Sequence, residues 1–376
     1  MMVVRSFCVS LALFFLAMPR AFSEEAAIGV NYYDCFARTL EDPADTSYRE
    51  GFRTLAEFKV PFVRASFTGY YPKQMKLYLE DKVEYFRRMD GVVAAAEEHG
   101  VKLIPSFFWW YPCVPDIVGE PCNRWGDVTS KTHAFMRTYV TEVVARYKDS
   151  KAILAWEFGN ELNLSIDLPN AAENRPPAYQ DLGSPATRSA EDDLTSATLQ
   201  VAYAAFAEAV RAVDPIRPLS TGNAIPRPFA YHQRTEGAWT VDTRQQFMDE
   251  LLAQNPAPYN LISIHIYPGD VDNRFEPKRR ATYIEVIAAA QEAAASAGKR
   301  LFIGEFGALP DDATGMTAEK TRAEGLAILD AVAQGNVPLA AIWVFDFAHQ
   351  PKLTIRPDNE RGFYLEALRE ANETRP

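Results

Sequence analysis

The sequence is short of the residues that mark several common kinds of site. Its 376 residues hold 4 cysteines and 5 histidines. No CxxC, CxxH or HxH pair occurs among them, so neither a structural zinc site nor a metal-dependent barrel hydrolase is expected. Positive charge is also scarce: Lys+Arg 39 against Asp+Glu 50 gives a net charge of −11. Domains that grip polyanions carry basic surfaces, so neither nucleic acid nor an anionic membrane is an expected partner. No Gly-rich phosphate loop follows the first strand-like run, which argues against a doubly wound dinucleotide fold. Internal repeats and low-complexity tracts are absent. After residue 23 no apolar run approaches the roughly 20 residues of a membrane span.

What is present is ordinary for a globular chain, with 48% hydrophobic and 24% charged residues. Residues 1–23 read as a cleavable leader: Arg5 precedes an apolar run from Phe7 to Met18, and Ala21-Phe22-Ser23 sets small residues at −3 and −1 of a cut before Glu24. The expectation is a secreted protein, periplasmic or extracellular, whose single folded domain runs from 24 to 376. In an oxidising compartment Cys113 and Cys122 are expected to close the short loop YPCVPDIVGEPCNRW as a disulfide, leaving Cys35 free and buried.

Eight short apolar runs recur, at 26–33, 61–67, 101–108, 152–159, 217–222, 261–268, 300–307 and 339–347. Each is followed by an amphipathic or Ala-rich stretch, at 47–58, 77–98, 128–148, 190–213, 242–254, 278–297, 317–334 and 363–372. Runs that are apolar on both faces belong to a parallel sheet covered on both sides. Strict alternation repeated eight times predicts an α/β chain folded as a (β/α)8 TIM barrel with long loops on its C-terminal face. That face is where barrels build their sites. The linkers 109–127, 162–189 and 223–241 all leave it.

Two of the predicted strands end in glutamates. Strand four ends Trp156-Glu157-Phe158-Gly159-Asn160-Glu161, and strand seven ends Gly304-Glu305-Phe306-Gly307. Glu161 and Glu305 would face each other across the barrel mouth, as retaining glycoside hydrolysis requires of its protonated acid and ionised nucleophile. One of the pair then needs a positive or hydrogen-bonding partner to separate the two pKa values. Arg64, late on strand two, and the Tyr267 hydroxyl are candidates. Glu157 reads as a buried structural carboxylate. The other histidines, His99, His133, His232 and His349, lack ligand spacing.

These motifs together resemble the cellulase and mannanase family of clan A glycoside hydrolases, family five. The shared set is Arg64 in FVRASF, Asn160-Glu161 in AWEFGNE, His265 and Tyr267 in SIHIYP, Glu305 in GEFG and Trp343 in IWVFDF, in the family's order on strands two, four, six, seven and eight. The resemblance spans roughly residues 26–370. It implies that Glu161 is the general acid/base and Glu305 the nucleophile of a double displacement needing no cofactor and no metal. Asn160 would bind the sugar 2-hydroxyl, Arg64 and Tyr267 would hold Glu305 ionised, His265 would complete the network at the acid/base, and Trp343 would floor the site. Cellulase-type members place a His at the end of strand three, where this chain has Ser106-Phe107-Phe108-Trp109; with HIYP, that departure leans toward mannanase-like members.

Aromatic residues crowd the loops after strands two and three: Tyr70, Tyr71, Trp109, Trp110, Tyr111 and Trp125. Sugar faces stack on such rings, and Trp110 and Trp125 are the expected stacking pair. Asp346 is left open between binding a hydroxyl and capping a loop. The reading is a monomeric, secreted retaining β-glycosidase acting on β-linked polysaccharide or oligosaccharide, with β-1,4-mannan or β-glucan favoured. A non-catalytic carbohydrate-binding barrel and a transglycosylase using the same site are the alternatives.

Overall fold

The computed structural model describes residues 26–311 and 315–375; the expected leader, 1–23, lies outside them. Eight parallel strands, β1 (Ala27–Asn31), β2 (Phe62–Ser66), β3 (Lys102–Phe108), β4 (Trp156–Gly159), β5 (Leu219–Ser220), β6 (Leu261–Ile266), β7 (Arg300–Phe306) and β8 (Leu339–Ile342), form one sheet in the order β5-β4-β3-β2-β1-β8-β7-β6. The helices that follow them are α1 (Tyr48–Glu57), α2 (Lys82–His99), α3 (Lys131–Tyr147), α4 (Ser196–Arg211), α5 (Arg244–Gln254), α6 (Tyr283–Ser296), α7 (Ala318–Gln334) and α8 (Phe363–Glu373). This is the expected TIM barrel, a single domain. No helix among the described residues is long and apolar enough to cross a membrane.

Helix starts follow capping chemistry. Ser130, Thr195, Thr243, Thr282 and Thr317 each accept from a backbone N–H in the first turn of α3 to α7. The expected helix 77–98 is instead two, Lys76–Glu80 and α2, because the Asp81 carboxylate accepts from the Glu84 N–H and starts a new helix. Gly100 ends α2 in the left-handed region, as its position predicts.

Strand alternation sorts the barrel interior into layers. Phe62, Ile104, Ala155, Leu261, Phe302, Leu339 and Ala341 form an apolar plug, separate from the large core between strands and helices. Two residues further along the same strands, toward their C-terminal ends, the inward positions become polar: Arg64, Ser106, Glu157 and Ser263, all fully buried. Asn31, paired in register with Arg64, joins them. The strand ends thus place polar side chains on top of an apolar floor.

The ring is closed without a ladder between β5 and β6. Asparagines bridge the gap: Asn260 Oδ1 accepts from the Leu219 N–H at 2.8 Å. Asn255 Oδ1 accepts from the Ser263 N–H at 3.0 Å and the Thr221 hydroxyl at 2.7 Å. The expected strand 217–222 shortens to two residues because it starts at Pro218, has this side-chain seam as its neighbour, and leaves through Gly222.

The expected Cys113–Cys122 disulfide is not formed. Both are free, buried thiols. Cys113 Sγ lies 3.7 Å from the Gly69 carbonyl oxygen, while the backbone N–H of Cys122 donates to Asp192 at 3.2 Å. The two thus belong to different packing contacts, and their loop is tied by Trp125 instead, whose Nε1 donates to the Tyr111 carbonyl at 2.8 Å.

Because Asn255 is 1% exposed, replacing it by Ala leaves two buried donors unfilled, at a cost of about 2 kcal/mol or more. Asn255→Ala is expected to lower the thermal unfolding midpoint by several degrees in a circular-dichroism melt, and Asn255→Asp at least as much, because its buried carboxylate would face the Leu251 carbonyl to which the Asn255 Nδ2 donates at 3.0 Å. An unchanged midpoint in the Ala variant would mean that the seam is closed by packing alone.

Candidate active site

The site is built around Arg64, which points inward from β2 and is fully buried. Its Nε donates to Glu157 at 2.6 Å, and one terminal nitrogen donates to Glu305 at 2.8 Å and Asn31 at 3.1 Å. The other terminal nitrogen donates to Asn160 Oδ1 at 2.8 Å. The Trp109 ring covers the guanidinium face at 4.4 Å. Glu157 is held again by the Ser220 hydroxyl at 2.8 Å, so it is the structural counter-charge that its position implied.

Glu305 owes its inward direction to an irregularity. In the β6–β7 ladder Ile264 pairs with Ile303 but His265 pairs with Glu305, so Gly304 bulges out of register and the next side chain turns into the mouth. Gly304 has no room for anything larger: a Cβ there would sit 2.8 Å from His265 Nε2. Glu161 is placed by a different device. It adopts φ 55, and its N–H donates to the Gly222 carbonyl at 2.8 Å. Gly222 itself has φ 72, and a Cβ there would meet the Gly159 carbonyl oxygen at 1.8 Å. Only glycine lets the ends of β4 and β5 approach so closely.

One carboxylate oxygen from each of Glu161 and Glu305 and a ring nitrogen of His265 lie within 4.8 Å of one another. The two glutamates differ in their partners. Glu305 takes Arg64 on one oxygen and the Tyr267 hydroxyl, at 2.7 Å, on the other. Among the described residues the Glu161 side chain takes only His265 Nδ1, at 2.8 Å. Burial lowers the His265 pKa to about 4, so this contact is a hydrogen bond to a neutral imidazole, not an ion pair. Burial pushes Glu161 up, with Arg64 opposing it. Burial also pushes Glu305 up and the neighbouring Glu161 adds to the rise, against the pull of Arg64 and the Tyr267 hydrogen bond. Two donors that favour the charged form make Glu305 the ionised member and leave the proton on Glu161. These three groups are also the ones near enough to share a cation, but both Glu305 oxygens already receive donors, one of them cationic. The arrangement suits proton donation by Glu161 and attack by Glu305.

The cavity around them measures about 790 Å³ and is lined by Asn160, Glu161, His265, Tyr267, Glu305 and Trp343 together with Tyr33, Tyr70, Tyr71, Trp109, Asp270 and Phe347. The Trp343 ring is fixed by its Nε1, which donates to Gln350 Oε1 at 2.7 Å. Of the expected site residues, Arg64, Asn160, Glu161, His265, Tyr267, Glu305 and Trp343 therefore meet at one place. Trp110 and Trp125 do not. Trp125 is fully buried among Phe108, Phe158 and His133, and Trp110 stacks on Tyr70, with Arg188 over its ring. Trp109 stands on the cavity in their stead, with Tyr33 and Phe347, which sequence reasoning missed. Tyr33 was findable: it follows Asn31 at the inward spacing of two. Asp346 is a loop tie, paired with Arg38 and Arg356, each at 2.9 Å.

The family model for cellulase, glycosyl hydrolase family 5, matches residues 38–347. Over 81 residues the chain is 42% identical to "Probable mannan endo-1,4-beta-mannosidase F" of Aspergillus flavus, a match covering 20% of this chain and 17% of that protein. The chain thus spans under a fifth of the length of that curated relative. Among solved structures it is similar to the endo-beta-1,4-mannanase from Thermotoga petrophila (TM-score 0.64, 15% identity, 93% of this chain and 77% of that one). It is also similar to the endo-1,4-beta-mannanase from Rhizomucor miehei (TM-score 0.63, 14% identity, 93% and 95%). Identities this low speak for the shared fold.

The depressed His265 pKa has a direct consequence. The unfolded chain takes up a proton on this residue near the ordinary value of 6.5, whereas the folded chain does so only near 4. Stability contributed by the neutral ring is complete above pH 6.5 and declines as pH falls toward 4. In ¹⁵N NMR the His265 ring signals should stay neutral down to about pH 5; a titration centred near 6.5 would show that the ring carries charge beside Glu161.

Proposed function

This chain belongs to the cellulase family, glycosyl hydrolase family 5, and we propose on that premise that it is a retaining β-glycoside hydrolase acting on β-1,4-linked mannan in preference to β-glucan. The observation that carries the reading is the close pair of carboxyls with unequal partners, Glu161 and Glu305. Their nearest oxygens lie within 4.8 Å of each other, short of the roughly 6.5–9.5 Å separation that inversion needs and suited to direct attack on the sugar.

In this reading Glu305 attacks the anomeric carbon while Glu161 protonates the departing glycosidic oxygen. A glycosyl ester on Glu305 results, and the leaving sugar departs with the proton. Glu161, now ionised, takes a proton from water, whose oxygen attacks the anomeric carbon and frees Glu305. Arg64 occupies Asn160 Oδ1, so the amide N–H of Asn160 is the group presented to the sugar 2-hydroxyl. Tyr267, whose phenol is held protonated by burial, donates to the ionised nucleophile. Trp343 supplies the apolar floor. Mannan is preferred because the relatives that match by sequence carry mannosidase names and because the end of strand three, Ser106-Phe107-Phe108-Trp109, lacks the histidine that cellulase-type members place there. Export of the domain after cleavage before Glu24 belongs to the same proposal, and the buried thiols Cys113 and Cys122 need no oxidising compartment.

The test is a panel of mannan, glucomannan, carboxymethylcellulose, mixed-linkage glucan, xylan and aryl β-glycosides, with two variants alongside. Glu305→Gln is expected to abolish turnover on every substrate while keeping the wild-type melting profile. Glu161→Ala is expected to lose far more activity on mannan than on an aryl glycoside whose leaving group departs without a proton. Near-wild-type rates in Glu305→Gln, or equal losses on both substrates in Glu161→Ala, would sink the assignment. Sugar binding by wild type with no release from any substrate would favour a carbohydrate-binding barrel.

A further inference from the structure

The line from Glu161, at the end of β4, to Glu305, on β7, divides the barrel mouth. The arc through β8, β1 and β2 brings Trp343, Phe347, Tyr33 and Tyr70 to the cavity. The opposite arc, through β5 and β6, brings Ala224, Gly269 and Asp270. A sugar whose anomeric carbon faces Glu305 rests on Trp343, so the unit released by proton transfer from Glu161 falls on the second arc. Asp270 is the carboxylate waiting there.

Its placement is specific. Asp270 Oδ2 accepts from the Tyr267 N–H at 2.7 Å, whereas Oδ1 receives no hydrogen bond from the described residues. The turn that carries it is pinned from behind by Arg274, which is 2% exposed. Arg274 donates twice to the Asp270 carbonyl, at 2.9 and 2.7 Å, and once to the Pro226 carbonyl at 2.8 Å. The fold therefore uses one oxygen of this carboxylate and the backbone around it, and leaves the other without a donor among the described residues, on a side chain that lines the cavity. Burial pushes the Asp270 pKa up to about 6, with the Tyr267 N–H and Arg274 working against the rise, so the group is ionised at neutral pH. An ionised acceptor with an unfilled site in a partly dry cavity binds hydroxyl donors strongly.

We propose that Asp270 is a specificity-determining residue that accepts a hydrogen bond from a hydroxyl of the sugar unit on the leaving side of the scissile bond. The inference rests on the glycosidase reading above. Its prediction is a difference between leaving groups: a sugar carries hydroxyls for Asp270 and a nitrophenyl group carries none.

The experiment compares Asp270→Ala and Asp270→Asn with wild type on a β-1,4-manno-oligosaccharide and on a nitrophenyl β-glycoside of the same glycone. On the oligosaccharide, kcat/KM for Asp270→Ala is expected to fall roughly 10- to 100-fold, at least tenfold more than on the nitrophenyl substrate. Asp270→Asn, which keeps a neutral acceptor, should recover part of the loss. Equal losses on both substrates would overturn the proposal, because they would mean that Asp270 acts only by holding the Tyr267 turn and, through it, Glu305. No loss on the oligosaccharide would overturn it too. A wild-type enzyme inactive on both substrates and on the whole panel would overturn the glycosidase reading, a result distinct from either.

Discussion

Everything in the barrel mouth depends on one buried cation. Arg64 is fully enclosed, and its planar fork reaches Glu157, Glu305, Asn31 and Asn160 at once. A lysine presents a single point charge and cannot hold four partners in one plane. Enclosing a guanidinium is expensive unless it is paired, and Glu157 meets that requirement at 2.6 Å from a fully buried position. With Glu157 neutralising Arg64, the charge on Glu305 is the surplus negative charge of the cluster. A second surplus charge on Glu161, within 4.8 Å, would have no cation left to meet it. The proton on Glu161 therefore follows from charge accounting around Arg64 as much as from burial. The neutral state of His265 belongs to the same balance, since a charged imidazole would release that proton.

The backbone supplies what the side chains cannot. Period-two alternation sets Arg64, Glu157 and Ser263 in one inward layer and His265 at the next inward position of β6 without special measures, but neither Glu161 nor Glu305 obeys it. Glu305 reaches the mouth through a bulge at Gly304, and Glu161 through a left-handed turn beyond the end of β4. Both departures from regular strand geometry lie at the two residues proposed to react, and each leans on a glycine that admits a close neighbour, His265 in one case and the Gly159 carbonyl in the other. Regular structure positions the support; irregular structure aims the two glutamates.

This division explains what was legible in the sequence. The barrel was readable because eight runs apolar on both faces leave a parallel sheet little choice. Arg64, His265 and the glutamates were readable because polar residues near the ends of such runs are expensive unless they work. Trp110 and Trp125 were misplaced because a loop has no periodicity to say which ring faces the cavity. Trp109, one residue past β3, does face it, while Trp125 has Phe108 and Phe158 to pack on. The Cys113–Cys122 pairing rested on spacing and compartment alone, and spacing says nothing about which way two thiols point. The shortness of β5 was equally hidden, because its missing ladder is replaced by asparagine side chains that come from the α5–β6 connection.

The aromatic rings on the cavity add a further constraint. Tyr33 meets Trp109 at 4.6 Å and Phe347 at 5.0 Å, and Trp109 meets Trp343 at 5.8 Å. Rings packed against one another lose little freedom when a sugar arrives, so their contact area becomes available as binding energy without a large ordering cost. Trp109 belongs to this group and also covers Arg64. The aromatic surface proposed to receive the sugar and the cation paired with Glu305 are thus one packed unit. A change that tilts the floor moves the Trp109 face away from Arg64 and loosens the guanidinium that positions Glu305 and Asn160 together. In the proposed reaction, sugar recognition on the aromatic arc and charge control at Glu305 are coupled through that single indole, whereas the opposite arc acts on the two glutamates directly, through Gly222, His265 and Tyr267.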